Sequence, residues 1–166
     1  MNDTGRGKTL VLGLGNILMG DEGFGIEVVR RLKEAGLPAH VAAFEGGVGG
    51  FNLLGQLEGI EKLIVVDTMM MESPPGELKV LRPGPEVSEP GKEIISFHQV
   101  GVLDLLQMWS LIGRPPETFF LVTRPEKLEW GQGLSPALKT AVDRAQDMIR
   151  ELCPSQSARS DVPCMT

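Results

Sequence analysis

The sequence predicts a single α/β domain with a mostly parallel, twisted sheet of about five strands and helices on both faces. Three observations predict it. Residues 10–14, 39–44, 63–66 and 118–122 are short, nearly continuous apolar runs, the pattern of strands buried on both sides. Between and after them lie longer amphipathic stretches with helical period. The chain has 166 residues, 42% of them apolar, enough for one substantial core, and no internal repeat suggests a second.

Taken in order, residues 1–8 are polar and read as a frayed start. The first strand runs into a glycine-punctuated loop ending at two adjacent acids, Asp21 and Glu22, where a helix is expected to begin. Phe24, Val28, Val29, Leu32 and Ala35 share one face of that helix, Glu27 and Arg31 stand i,i+4 on the wet face, and Gly36 ends it. A second strand ends at Glu45-Gly46-Gly47, and a short helix is predicted over about 50–56. The clearest strand, 63–66, delivers Asp67 at its carboxyl end. Residues 77–81 alternate as an edge or hairpin strand, and 82–91 form a Pro/Gly/Glu-rich loop. Ser96 and Gln99 make a capping-box pattern for a helix to about residue 112, with Leu103, Leu106 and Trp109 on one face. A further amphipathic helix covers 136–152. The domain is thus 1–152, and 153–166 is expected to be a disordered tail.

Composition excludes several classes. With 16 basic and 22 acidic residues the formal charge is −6, and no Lys/Arg block suggests nucleic acid. Cys153 and Cys164 form no metal-binding pair or disulfide framework. No apolar run is long enough to insert in a membrane and no leader pattern is present, so a cytoplasmic protein is expected. The first strand and loop superficially copy a dinucleotide-binding unit, but Leu18 occupies the third glycine position and two acids stand where a pyrophosphate would bind. There is no H-E-x-x-H, Gly133–Ala137 lacks the last glycine of a nucleophile elbow, and neither Asp3-Thr4-Gly5 nor Asp67-Thr68-Met69 makes an aspartic-protease loop.

What remains is a constellation. Glu22 follows the first strand, Asp67 ends the central one and His98 opens a helix. In a parallel sheet all three converge at the carboxyl edge, where open α/β sheets place their ligands. Two carboxylates and an imidazole suit a divalent transition metal with positions left open. A histidine in a first helical turn is held neutral by the helix dipole, which favours ligation. The bland alternatives are a helix-start acid, a turn-forming Asp and a locally bonded His. Between the two adjacent acids, the shorter Asp21 suits a cap and Glu22 a ligand. The loop glycines would clear backbone space at that edge for an approaching ligand. His40 and Met69–Met71 read as structural.

The motifs Gly13-x-Gly15-Asn16-x-Leu18-x-x-Asp21-Glu22-x-x-Gly25, Gly46-Gly47, 63–67, His98-Gln99-x-Gly101-x-x-Asp104, Arg124-Pro125-Glu126 and Gly133-Leu134-Ser135-Pro136 occur in the order seen in nickel–iron hydrogenase maturation proteases. From residue 9 to 152 the chain resembles that family. The resemblance implies an endopeptidase that removes the C-terminal extension of the nickel-loaded precursor of a hydrogenase large subunit. It assigns Glu22, Asp67 and His98 as metal-contacting and catalytic positions, the nickel being supplied by the substrate, with cadmium or zinc able to stand in for it in crystals. Whether the metal polarises the carbonyl, activates water, or leaves a carboxylate to act as base stays open. The family usually has Asp-Gly-Gly where this chain has Glu45-Gly46-Gly47, so Glu45 is a weaker catalytic candidate. A non-cleaving checkpoint that binds the loaded large subunit is the alternative. The expected partner is that precursor, and a monomer is favoured.

Overall fold

Strands that are apolar on both faces need helices on both sides, and the chain supplies them. The computed structural model describes residues 7–47, 55–83 and 97–154. It runs β1 (Lys8–Leu14), a 3-10 turn (Gly20–Gly23), α1 (Phe24–Ala35), β2 (Val41–Gly47), β3 (Ile60–Thr68), β4 (Leu78–Leu81), α2 (Phe97–Ile112), β5 (Glu117–Thr123) and α3 (Pro136–Leu152). The five strands form one sheet in the order β2-β1-β3-β5-β4. β4 lies antiparallel to β5, and the other pairings are parallel. This is the predicted fold class, with β4 at the edge position its alternation suggested.

Successive strand residues face opposite sides. Val11, Ile64, Val66 and Leu121 pack with Phe24, Val28, Val29 and Leu32 of α1 and Leu138, Ala141, Val142, Ala145 and Ile149 of α3. Leu10, Leu12, Leu63, Val65, Phe120 and Val122 face the other way, toward Val102 and Leu105 of α2. Each such side chain contributes about 1.5–3 kcal/mol by leaving water. α2 therefore presents Val102 and Leu105 to the sheet, with the predicted Leu103, Leu106 and Trp109 only partly buried around them. An apolar helix surface this broad left its rotation open in the sequence, and the sheet decided it.

The helix ends follow local chemistry. Gly36, at φ 85°, stops α1 with its N–H on the carbonyl of Lys33. Arg31 Nε lies 3.1 Å from Glu27 Oε1, the expected i,i+4 pair. Pro136 opens α3, where its missing N–H costs nothing. Most of the helix predicted over 50–56, Ser96 of the capping box, the loop beyond residue 83 and the tail from 155 lie outside the described residues. No helix among the described residues is long and apolar enough to cross a membrane.

Candidate metal-recognition site

Alternation along β3 fixes where Asp67 goes. Leu63 and Val65 face α2, so Asp67, two residues on, faces α2 as well. It is fully buried, and its Oδ1 accepts a 2.8 Å hydrogen bond from the N–H of Thr68. His98, the second residue of α2, stands against it with Nδ1 3.8 Å from Asp67 Oδ1. The sequence thus placed these two residues together correctly.

The expectation of a neutral, dipole-suppressed imidazole needs correction. The His98 pKa is raised above the ordinary 6.5, first by Asp67 acting as hydrogen-bond acceptor, then by the charges of Asp67 and Glu22, against the opposing effect of burial. The two nearby carboxylates favour the protonated ring, opposite in sign to the effect expected of the helix end. Glu22 therefore stands close enough for its charge to be felt at His98. Among the described residues, however, no three His, Cys, Asp or Glu side chains lie close enough together to hold a metal ion as they stand. As a donor set, two carboxylates and an imidazole remain suited to a divalent transition metal.

Glu22 rides on the 3-10 turn Gly20–Gly23, and α1 begins only at Phe24. Asp21 is not the cap it was expected to be. Met19 and Gly23 occupy the two N-cap positions, and neither turn nor helix has a side-chain cap bond. Asp21 instead points inward, fully buried, and accepts four hydrogen bonds from the β5–α3 connection. Its Oδ2 takes the N–H groups of Glu126 and Lys127, both at 2.8 Å, and the Ser135 hydroxyl at 2.9 Å, while Oδ1 takes the Ser135 N–H at 2.7 Å. Partners 105 to 114 residues away leave no local trace in a sequence.

The loop glycines also have a use different from the expected one. Gly15 has φ 127°, and a Cβ there would run into the carbonyl oxygen of Glu22. A Cβ at Gly25 would strike the carbonyl oxygens of Val66 and Leu14. The cleared space is filled by the chain's own acid-bearing turn and helix start, packed against the ends of β1 and β3.

Glu45 is set apart. In register it lies level with Gly13, as does Val66 on the other side of β1. Val66 belongs to the α1/α3 face, and Glu45 pairs on that face with Arg30 of α1, Nε to Oε1 at 3.1 Å and Nη2 to Oε2 at 3.3 Å. Hydrogen bonding to Glu45 raises the Arg30 pKa. A cleft of about 520 Å³ opens nearby between α1 and α3, touching Gly20, Gly23 and Arg30, but its walls include neither Asp67 nor His98. His40 lines a smaller cleft at the opposite edge of the sheet, where its carbonyl accepts from Thr9 N–H at 2.9 Å. Met69 and Met71 are buried in the α2-side core, as a packing role requires.

This architecture and this sequence have relatives. Residues 26–152, which include Asp67 and His98, match the family described as hydrogenase maturation protease. The chain is 38% identical over 149 residues to the hydrogenase expression/formation protein HupD of Rhodobacter capsulatus, covering 87% of this chain and 71% of that one. It is 34% identical to the hydrogenase 2 maturation protease of Escherichia coli, covering 86% and 88%. Among solved structures, the hydrogenase maturating endopeptidase HybD of E. coli superposes with a TM-score of 0.77 at 32% identity, covering 87% and 91% of the two chains. HybD of Thermococcus kodakarensis superposes at 0.78 with 26% identity, covering 89% and 99%. With a family match over residues 26–152 and relatives at 34–38% identity across most of its length, this chain belongs to the hydrogenase maturation protease family.

Proposed function

We propose that the protein is an endopeptidase that removes the C-terminal extension of the nickel-loaded precursor of a hydrogenase large subunit, and that Glu22, Asp67 and His98 recognise the substrate's nickel. The observation that carries this reading is buried Asp67 beside the partly exposed His98 at the carboxyl edge of the sheet, within electrostatic reach of Glu22. Family membership supports the peptidase activity, since HybD is described as an endopeptidase. Apolar side chains exposed on the neighbouring loops, Leu18, Met70 and Trp130, suit contact with a protein rather than a small polar molecule.

Each residue has a role that follows from its surroundings. Asp67 is held by the Thr68 N–H and stands 3.8 Å from the His98 ring, so the two offer a carboxylate and an imidazole side by side to the incoming metal. Glu22, partly exposed on its turn, is the donor open to the arriving peptide. Nickel carried in by the substrate supplies Lewis acidity at the peptide it accompanies. Precursor without nickel lacks part of the recognition surface, so selectivity for loaded substrate follows directly.

Incubation with nickel-loaded precursor, followed by mass analysis of the large subunit, tests the reading. Loss of the extension is expected. An unchanged mass overturns the reading, as does full activity in a His98→Ala variant. A stable complex of unchanged mass identifies instead the non-cleaving checkpoint, a reading that the engagement of Glu45 by Arg30 favours.

A further inference from the structure

We infer that Asp21 is a positioning residue for Glu22: the Asp21 carboxylate bolts the 3-10 turn to the β5–α3 connection and thereby sets where Glu22 stands relative to Asp67 and His98. The inference rests on the proposed role of Glu22 and goes one step beyond it.

Three observations carry it. First, a carboxylate wholly removed from water is expensive unless its oxygens are satisfied, and here four donors converge on it, all from the far connection and none from its own turn. Second, Ser135 is the N-cap residue of α3 yet makes no side-chain cap bond, because its hydroxyl is turned to Asp21. A helix thus forgoes the ordinary use of its cap serine in favour of a contact to the turn. Third, main-chain bonds run in the same direction. The Gly20 N–H donates to Gly131 O at 2.9 Å, Asp21 N–H to Lys127 O at 3.0 Å, and Gly131 N–H to Leu18 O at 2.9 Å.

Glu22 is held on its other side too. Its N–H donates to Met19 O at 3.2 Å, and its carbonyl lies where a side chain at residue 15 would be. The backbone of this one residue is fixed from both directions while its carboxylate stays partly exposed. That combination is what a side chain needs if it must meet an incoming ligand at a defined distance from two others. Donor groups that orient a ligand without touching the metal typically change affinity ten- to a hundredfold.

A Cd²⁺ titration by calorimetry on the full chain, with thermal melting in parallel, tests this. Five proteins suffice: wild type, Glu22→Gln, Asp21→Asn, the double variant of these two, and Ser135→Ala. Asp21→Asn keeps the shape but turns an amide toward donors, so the clamp is disrupted. The expected result is a loss of Cd²⁺ affinity of about tenfold or more in Asp21→Asn, with no further loss when Glu22→Gln is added, because one residue acts through the other. Ser135→Ala removes a single bond to Asp21, retains the fold if Asp21→Asn does not, and is expected to give a smaller loss of the same sign. Unchanged Cd²⁺ affinity in both clamp variants, with lowered melting temperatures alone, overturns the positioning role and leaves the Glu22 assignment standing. Wild-type Cd²⁺ binding that is indifferent to Glu22→Gln overturns that assignment and the positioning role with it.

Discussion

Two acids stand almost level at the carboxyl edge of the sheet, on either side of β1, and share little else. Glu45 on β2 faces α1, is about one third exposed, and is answered by Arg30 in a two-pronged ion pair. Asp67 on β3 faces α2, is shut off from water, and has an imidazole beside it. One step of strand register separates a surface carboxylate from a buried one, since Glu45 is level with Val66 and not with Asp67. A charge already matched by a guanidinium is occupied, whereas a buried carboxylate beside a titratable ring is the arrangement that functional sites assemble. Chemical similarity between two acids therefore says little about their roles until the face of the sheet is known.

The contrast can be broken by experiment. The largest expected effect is on cleavage. Asp67→Asn or His98→Ala should lower the rate on nickel-loaded precursor by about a hundredfold or more, given that metal-assisted chemistry is worth several kcal/mol. Mass analysis of the large subunit with a melting curve for each variant would establish it. Glu45→Ala should leave the rate within a few-fold, and a loss as large as that of Asp67→Asn would erase the distinction drawn between the two sides.

Next in size is a stability effect at Asp21. Asp21→Ala strands three buried or partly buried N–H donors and a hydroxyl, and should cost about 3 kcal/mol or more in urea unfolding. A cost below about 1 kcal/mol would mean that water replaces the carboxylate at no penalty.

The His98 pair gives a signed pH dependence. Folding raises the His98 pKa, so the folded chain holds that proton more tightly than the unfolded one. The stabilisation is fully present below the unfolded value near 6.5 and is lost as pH rises through the higher folded value. The melting temperature of wild type relative to His98→Gln should accordingly be greatest at acidic pH and shrink toward alkaline pH. A difference that grows with pH would show that the pair does not stabilise the protonated ring. Smallest of all is the surface pair, where Arg30→Ala or Glu45→Ala should shift stability by about 1 kcal/mol or less, with any effect weakened by salt.

The fold was largely legible before any coordinates. Periodicity placed all five strands, the edge position of 78–81, the stop at Gly36 and the pairing of Glu27 with Arg31. For the site, a strand end and a helix start were enough to bring Asp67 and His98 together, because a parallel sheet gathers its carboxyl ends and the elements that follow them at one edge. The protonation tendency of His98 was misjudged, since a helix position is visible in sequence and the sum of neighbouring charges is not. Asp21 was misjudged for a related reason. A helix-start acid looks the same whether it caps its own turn or reaches across the molecule, and its partners Glu126, Lys127 and Ser135 are distant in sequence.

By itself, then, the sequence determined the sheet, its two apolar faces and the edge at which the chemistry gathers, because these depend on short-range periodicity and on where strands end. Only the tertiary structure decided that Glu45 turns to α1 and Asp67 to α2, that the loop glycines make room for the chain's own turn, and that Asp21 joins that turn to the approach to α3. Those outcomes depend on register and on contacts between residues far apart in the chain, which local pattern does not encode.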